Sequence, residues 1–391
     1  MTAAPTPRIH GEHDARFDRV RDAFARTFAA PTELGAAIAV TVDGRPVVDL
    51  WAGAMDGARK KPWQRDTIVT VFSTTKGVTA MCAHRLVDQG LLDLDAPVAR
   101  YWPEFAAAGK AQVLVRSLLD HRAGLAAIRE PLPPEAMFDW DLMTRTLAAE
   151  EPWWIPDTKH GYHAVTFGWL VGEVVRRVSG KTIGTYFREE VAGPLGLDLH
   201  IGMDEANDVR CAEVRPGPRP SDGAETLFDR LLKAPESMPA KAFMNPATML
   251  VPATLASRAW RGGELPSVNG HASARSLARL YGALASGGAI DEIRVLTPES
   301  ILRCHGERSF GIDEVLGVAT RFSQGFMLSQ PGASFGPNLT TFGHPGAGGS
   351  LGFADPVARV GFGYVMNRMG TSILVDPRAE SLIESVYACL G

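Results

Sequence analysis

Ser73 and Lys76 are the residues whose types and spacing most directly allow covalent chemistry. They bound the tetrapeptide Ser73-Thr74-Thr75-Lys76, a Ser-x-x-Lys pattern that occurs once in the 391 residues. A serine hydroxyl becomes a useful nucleophile when a base removes its proton, and a lysine three residues later on a helix lies one turn away on the same face. Burial lowers the pKa of a lysine, so that its amine can act as this base. The spacing therefore predicts a nucleophilic Ser73 activated by Lys76.

A second serine, Ser350, competes for the same role. The segment Gly348-Gly349-Ser350-Leu351-Gly352 matches the Gly-x-Ser-x-Gly elbow of α/β-hydrolases, a fold in which the acid and then the histidine follow the serine along the chain. No histidine occurs after residue 350, and the segment precedes hairpin-like strands instead of a helix. We therefore interpret Ser350 as part of a glycine-rich start of a strand.

The secondary structure that must position these residues is predicted from the sequence pattern. The two ends of the chain are predicted to contain both helices and strands, and the middle to be helical or irregular. Asp43-Gly44 between two apolar runs predicts a β-hairpin, and residues 349–366 predict two strands around a turn. Residues 200–268 lack clear periodicity, which is typical of a substrate-facing or lid-like region. The apolar periodicity predicts helices over residues 14–29, from Ser73 to Gly90, over 116–125 with a glycine stop, from Phe167 to Ser179-Gly180, from Leu277 to Gly287-Gly288, and after Asp376-Pro377.

Composition and charge exclude several classes of function. A net charge of -4 gives no reason to expect nucleic acid or an anionic membrane as a partner. The sequence contains no run of 18 apolar residues, so it predicts no membrane span. The N-terminal segment lacks an apolar signal core, so we expect a cytoplasmic protein. The expected partner is a small molecule. His10 and His13 have no third ligand nearby, and no metal site is predicted.

Two further motifs extend the pattern beyond Ser73 and Lys76. The first is Tyr162-His163-Ala164, just before the helix at Phe167, and the second is His344-Pro345-Gly346 on an inferred strand. With these motifs in this order, the chain resembles the class C β-lactamase and penicillin-binding-protein superfamily of serine hydrolases, and within it the family VIII carboxylesterases. The segment from Asp120 to Leu125 resembles a further landmark of that superfamily.

The resemblance implies an α+β fold, an α/β sandwich of the β-lactamase/transpeptidase type. It implies a central antiparallel sheet flanked by helices, together with a mainly helical domain. The sandwich domain would consist of residues 1–100 and 270–391. Residues 101–269 would form a mainly helical and irregular insertion that provides one wall of the active-site cleft.

The resemblance also implies roles for particular residues. Ser73 would carry the acyl group, and Lys76 and Tyr162 would serve as general base and acid, with the choice of base left open. The backbone N–H groups of Ser73 and Ala347 would form an oxyanion hole. The substrate would contact His344 and Gly346 of the third motif, and no cofactor is implied.

Two departures from the β-lactamase pattern bear on the substrate. The second motif there usually ends in Asn, whereas Ala164 offers no amide. The third motif there begins with Lys, whereas His344 is largely neutral at pH 7. Both changes weaken recognition of an anionic amide, so we expect a serine carboxylesterase acting on short-chain esters. The alternatives are a β-lactamase or D-alanyl peptidase, an acyltransferase of the same superfamily, and a non-catalytic binding domain, against which the intact Ser73, Lys76 and Tyr162 argue.

Overall fold

The computed structural model describes residues 7–29, 33–217, 223, 225–251 and 253–391. Its β-strands are β1 (His10–His13), β2 (Gly35–Val42), β3 (Arg45–Gly53), β4 (Val69–Thr70), β5 (Leu199–His200), β6 (His271–Ala272), β7 (Ala289–Ile290), β8 (Ile293–Arg294), β9 (Ser309–Ile312), β10 (Ala319–Phe322), β11 (Met327–Leu328), β12 (Phe342–Pro345), β13 (Leu351–Asp355) and β14 (Val360–Met366). Its α-helices are α1 (Asp18–Thr27), α2 (Thr75–Asp88), α3 (Val115–Leu119), α4 (Trp140–Ala149), α5 (Thr166–Ser179), α6 (Ile183–Phe187), α7 (Gly193–Leu195), α8 (Leu227–Lys233), α9 (Met238–Met244), α10 (Arg258–Gly262), α11 (Ala274–Ala285), α12 (Pro298–His305) and α13 (Pro377–Leu390). Short 3-10 helices occupy Ala15–Phe17, Val98–Arg100, Pro103–Ala106, Pro134–Phe138, Glu205–Arg210, Ala247–Leu250 and Thr254–Ala256, and a π-helical turn, Arg188–Ala192, joins α6 to α7.

In the described residues, nine strands form one antiparallel sheet in the order β1-β3-β2-β14-β13-β12-β11-β10-β9. Strand β2 pairs with β14, so the sheet joins the two ends of the chain. The hairpin predicted at Asp43-Gly44 is confirmed between β2 and β3, and both turn residues have positive φ, 51° and 74°. Positive φ at both central residues is the geometry of a type I′ turn. The α+β class with a central antiparallel sheet is therefore confirmed.

Helices cover both faces of the sheet at β14. Helix α11 packs on one face, where a Cβ at Gly363 would lie 2.2 Å from the carbonyl oxygen of Ala274. Glycine at this position therefore lets the helix approach the strand closely. Alternate residues of a strand face opposite sides, so Tyr364 faces the other layer, where its hydroxyl lies near the start of α13.

Helix α2 lies between the sheet and the helical part of the molecule. It contacts β12 and also α5, and nearly all of its side chains are buried. Contacts on both sides bury this helix although several of its side chains are polar, so it lies inside the core. Helix α5 confirms the prediction from Phe167 to Ser179, and Gly180 ends it with a φ of 70°. This arrangement buries the first turn of α2, which follows Ser73.

The helix predicted over residues 116–125 is wrong in its second half. Helix α3 ends at Leu119, and the following residues form a loop in which His121 and Gly124 have positive φ. The carbonyl oxygen of His121 accepts from Gly161 N–H, and that of Gly124 accepts from Trp153 N–H. These carbonyls serve a distant segment, so the helix does not continue through them.

The domain division between residues 1–100 with 270–391 and residues 101–269 stays a prediction. Most strands of the large sheet come from the first of these sets, and α3 to α10 come from the second. Across the part of the chain that the structure describes, no helix combines the length and apolar character needed to cross a membrane.

Candidate active site

Ser73 lies in the turn that joins β4 to α2. The preceding residue, Phe72, has a φ of 45°, which is rare for a bulky side chain and marks a strained backbone. The turn is held in place because Val71 N–H donates to the carbonyl oxygen of Gly270 at 2.8 Å. Ser73 is half-buried, whereas its neighbours on both sides are buried. The fold thus presents the Ser73 side chain from an otherwise closed segment.

Lys76 lies in the first turn of α2 and is completely buried. Its Nζ lies 3.1 Å from Ser73 Oγ, 2.6 Å from the carbonyl oxygen of Ala164 and 3.1 Å from that of Ser267. Burial lowers the pKa of this amine well below its usual value. A neutral amine has two N–H groups and one lone pair, and two of its three neighbours here are carbonyls that only accept. When the amine is neutral, its two N–H groups can serve these carbonyls and its lone pair is left for the Ser73 hydroxyl, as a base requires.

Tyr162 lies beside the same pair. The centroid of its ring is 4.7 Å from Lys76 Nζ, and its hydroxyl interacts with the Ser73 side chain. Its backbone N–H donates to Asp313 Oδ1 at 2.9 Å. Burial raises the pKa of the Tyr162 phenol, the hydrogen bond with Ser73 opposes this, and the Asp313 carboxylate adds to it. Tyr162 is therefore a neutral phenol at neutral pH.

Two buried histidines fix the loop that carries Tyr162. His163 Nδ1 donates to the carbonyl oxygen of Gly161 at 2.7 Å, and His163 Nε2 accepts from Leu125 N–H at 3.1 Å. The His121 Nδ1 atom accepts from His163 N–H at 3.2 Å. Burial lowers the pKa of His163 to about 4 and that of His121 well below its usual value, so both rings are neutral. The segment from Asp120 to Leu125 thus acts as a scaffold for Tyr162.

The third motif lies on β12 and in the turn after it. His344 stacks on Tyr162 with ring centroids 5.9 Å apart, and His344 Nδ1 donates to the carbonyl oxygen of Pro345 at 2.7 Å. Burial lowers the pKa of His344 to about 3, with a further contribution from Lys76. Gly346 is also buried, and a Cβ there would lie 2.1 Å from the carbonyl oxygen of Val71. His344 therefore supplies no positive charge, and position 346 accepts only glycine.

Ala347 follows in this turn and borders the same cavity as Ser73. Within the described residues, neither the Ser73 N–H nor the Ala347 N–H has a hydrogen-bond partner. Two free backbone donors beside a nucleophile are the groups that an oxyanion hole needs.

Ser350 has a structural position instead. It is buried, its Oγ donates to the carbonyl oxygen of Val71 at 2.7 Å, and its Oγ lies 3.3 Å from Thr74 Oγ1. Strand β13 begins at the next residue, so the interpretation of Ser350 as the start of a strand is confirmed. The hydroxyl ties the Ala347 turn to the segment that precedes Ser73.

The cavity at Ser73 has a volume of about 430 Å³. The described residues that line it carry no charged side chain, and nine of the twenty lie in the region 200–268 that lacked periodicity. The lining residues are Phe72, Ser73, Ala164, Val165, Val214, Pro216, Gly217, Thr226, Phe228, Phe243, Met249, Leu255, Val268, Ala347, Gly348, Met369, Gly370, Thr371, Ser372 and Ile373. A larger groove of about 750 Å³ over β1–β3 and α11 contains none of the candidate catalytic residues.

Several residues that shape the site carried no sequence signal. Ser267 contributes its carbonyl to Lys76 from the irregular region, and its Oγ accepts from Gly168 N–H at 2.5 Å. Asp313 accepts three backbone N–H groups on Oδ1, including that of Tyr162. Such contacts depend on tertiary structure, and no motif could have identified them.

Several known proteins are similar to this chain in sequence and in fold. The model of the family described as Beta-lactamase matches residues 22–384. The esterase/beta-lactamase LipL of Mycobacterium tuberculosis is 39% identical over 376 residues, which are 95% of this chain and 86% of that protein. A crystal structure of a family VIII carboxylesterase matches at 43% identity with a TM-score of 0.89, covering 98% of this chain and all of the other. A penicillin-binding protein homolog from Caulobacter crescentus matches at 42% identity, with the same TM-score and coverage.

These matches extend over nearly the whole chain and include both ends of the central sheet. They confirm the β-lactamase/transpeptidase-like fold that the three motifs implied. The chain belongs to the beta-lactamase family of the serine hydrolase superfamily, and carboxylesterases are among its close homologues.

Proposed function

We propose that the protein is a serine carboxylesterase that hydrolyses short-chain, uncharged carboxylic esters through an acyl-enzyme on Ser73. The observation that carries this proposal is the buried Lys76 Nζ at 3.1 Å from Ser73 Oγ, at the edge of a cavity in which the described lining residues carry no charged side chain. LipL is named an esterase/beta-lactamase, and the matching crystal structure is that of a family VIII carboxylesterase. Both names support ester hydrolysis as the reaction class.

Acylation begins when Ser73 Oγ attacks the ester carbonyl carbon and Lys76 takes the hydroxyl proton. The carbonyl oxygen gains negative charge and is stabilised by the N–H groups of Ser73 and Ala347. The bond between the carbonyl carbon and the alcohol oxygen then breaks. Tyr162 gives its proton to the leaving alkoxide, and the proton held by Lys76 restores the phenol.

Deacylation repeats these steps with water as the nucleophile. Lys76 takes a proton from the water as the water oxygen attacks the acyl carbon, the tetrahedral intermediate forms again in the same oxyanion hole, and the bond to Ser73 Oγ breaks. Tyr162 gives its proton to Ser73 Oγ and regains one from Lys76. Protonation of Ser73 Oγ then returns the free enzyme and releases the carboxylic acid. The lowered pKa of Lys76 and the neutral Tyr162 phenol suit this proton exchange, which involves no net change of charge.

The preference for uncharged esters rests on what the site lacks. Ala164 has no amide for the side chain of a β-lactam, and the pKa of His344, about 3, leaves this residue neutral at neutral pH. The cavity wall in the described residues offers apolar groups, among them Phe228, Phe243 and Leu255. Transfer of a carboxylate into such a wall is costly, whereas a neutral acyl or alcohol group gains from burial.

A paired assay tests the proposal. The wild-type protein should hydrolyse p-nitrophenyl butyrate and turn over nitrocefin slowly or not at all. Ser73→Ala should lower ester hydrolysis by roughly 10³-fold or more, because the acyl-enzyme no longer forms. Ser350→Ala is the matched control for the nucleophile, since it removes a nearby buried hydroxyl that forms no covalent intermediate in the proposed chemistry, and it should keep ester hydrolysis within about tenfold of wild type. Full activity of Ser73→Ala would refute the proposal, and rapid nitrocefin turnover would assign the protein to the β-lactamase alternative.

A further inference from the structure

A cluster of buried charges lies behind the turn that carries Ala347. Arg378, in the first turn of α13, contacts Glu33 (Nη1 to Oε2, 3.0 Å) and Asp376 (Nε to Oδ1, 2.8 Å). The side chains of all three are nearly or fully inaccessible to solvent, with exposed fractions of 11%, 0% and 5%. Tyr364 also donates its hydroxyl to Glu33 Oε2 at 2.7 Å. Buried ion pairs often contribute little to stability, so this cluster calls for another reason.

The guanidinium of Arg378 continues from this cluster to the catalytic turn. Its Nη2 donates to the carbonyl oxygen of Gly348 at 2.7 Å, and its Nη1 donates to that of Arg368 at 2.9 Å. Gly348 directly follows Ala347, and Gly370 N–H donates to the same Gly348 oxygen at 2.8 Å. One rigid planar group therefore joins the Ala347 turn to Arg368, which directly precedes the cavity-lining residues 369–373.

The turn needs such an anchor because of its composition. Gly348 and Gly349 have φ values of 82° and 128°, and glycine has the widest choice of backbone conformations. Ser350 fixes the far end of the turn through its bond to Val71. Without Arg378, the Gly348 carbonyl would keep only the Gly370 N–H as its donor, and backbone bonds alone would hold the turn. The peptide units between Gly346 and Ser350 would then be less tightly fixed, and the direction of the Ala347 N–H would vary more widely.

We propose that Arg378 is a positioning residue for acyl transfer, which holds the Gly348 carbonyl and thereby aims the Ala347 N–H at the oxyanion. This inference rests on the proposed function, because it assumes that Ala347 stabilises the transition state. Loss of one oxyanion donor costs roughly 10²–10³ in rate. A donor that is present but poorly aimed should cost less, so we expect kcat to fall by about 10-fold to 100-fold.

The experiment compares Arg378→Lys and Arg378→Gln with the wild type, using p-nitrophenyl butyrate and the inhibitor phenylboronic acid. Rates are expressed per active site titrated with a fluorophosphonate. We expect kcat to fall while KM stays within about twofold, since the change affects the transition state and not substrate binding. The boronic acid forms a tetrahedral adduct with the serine, so its affinity should fall in parallel with kcat. Arg378→Lys should not restore kcat, because an ammonium group cannot reproduce the planar fork.

Arg176→Gln is the matched control. Arg176 also pairs with a buried carboxylate, Glu173 (Nε to Oε2, 2.7 Å), but on α5 and outside the catalytic turn. It should lower thermal stability and leave kcat and boronic acid affinity unchanged. If neither Arg378 variant can be recovered folded, Glu33→Gln replaces them, because it loosens the guanidinium while keeping Arg378; a parallel fall in kcat and boronic acid affinity is again expected.

Two results would overturn the inference. One is a kcat per titrated site that stays unchanged in the Arg378 variants, or in Glu33→Gln where it replaces them. The other is a lower kcat with unchanged boronic acid affinity. The proposed function fails in a different way, by the absence of ester hydrolysis or of Ser73 labelling in the wild type.

Discussion

Replacement of Lys76 by Met is the most informative change to the chemical groups of the site. Methionine has a similar length but cannot exchange a proton, so Lys76→Met removes the proposed base at 3.1 Å from Ser73 Oγ. General base catalysis contributes typically about 10²–10⁴ in rate. We expect kcat/KM to fall by this factor. At about 1.4 kcal/mol for each factor of ten, the fall corresponds to a loss of about 3–5 kcal/mol of transition-state stabilisation.

The same change has a separate cost in stability. The carbonyl oxygens of Ala164 and Ser267 lose their donor, and a buried unpaired acceptor costs roughly 1–3 kcal/mol. Removal of a buried amine offsets part of this cost. Lys110 offers a matched control, because it is also completely buried and its Nζ donates to the carbonyl oxygens of Ala107 and Glu150. Lys110→Met should therefore lower stability to a similar degree and leave kcat intact.

The assay is the pH profile of kcat/KM with p-nitrophenyl butyrate, per titrated active site. The amine must be neutral to accept the Ser73 proton, so activity is lost as the pH falls below the pKa of Lys76. That pKa lies well below the usual lysine value, which shifts the acid limb of the profile to lower pH. The remaining kcat/KM of Lys76→Met should not show this decrease at low pH. Activity of Lys76→Met within tenfold of wild type, or an equal loss in Lys110→Met, would refute the assignment of Lys76 as the base.

Two further variants test the supporting groups. Ser350→Ala should keep ester hydrolysis within about tenfold and lower the free energy of unfolding by about 1 kcal/mol, the usual contribution of one hydrogen bond; urea unfolding measures this, and loss of fluorophosphonate labelling would contradict it. His344→Asn should reduce the loss of stability in acid. The folded protein keeps His344 neutral down to a pKa of about 3, whereas the unfolded chain takes up that proton below about pH 6.5, so this residue destabilises the fold progressively as the pH falls from 6.5 towards 3. Between pH 6.5 and 5 the free energy of unfolding of the wild type should fall by about 2 kcal/mol more than that of the variant. Urea unfolding at the two pH values measures this, and an equal fall in both proteins would show that His344 does not contribute.

The sequence predicted those parts of the fold that local chemistry decides. Asp43-Gly44 specifies its hairpin because both residues tolerate positive φ, and Gly180 ends α5 for the same reason. The segment after Leu119 was predicted as helix because its local pattern is helical. Its carbonyl groups instead accept from residues 153–161, and no local pattern contains that information.

The candidate site divides in the same way. Ser73 and Lys76 are three residues apart, so their proximity follows from the helix alone. Tyr162 and His344 needed the resemblance to a known family, because no rule of spacing joins them to Ser73. Glu33 and Arg378, which are 345 residues apart in the chain, meet only in the folded molecule. The sequence thus identifies the candidate reacting groups, and the structure adds the groups that aim them.

Identification of the labelled serine tests the central claim most directly. The wild-type protein, Ser73→Ala and Ser350→Ala are treated with a fluorophosphonate probe, digested and mapped by mass spectrometry. We predict that the probe mass lies on the peptide containing Ser73 in the wild type and in Ser350→Ala, and that Ser73→Ala carries none. Labelling of Ser350, or of Ser73→Ala at any other residue at the wild-type rate, would contradict the proposal that Ser73 is the nucleophile.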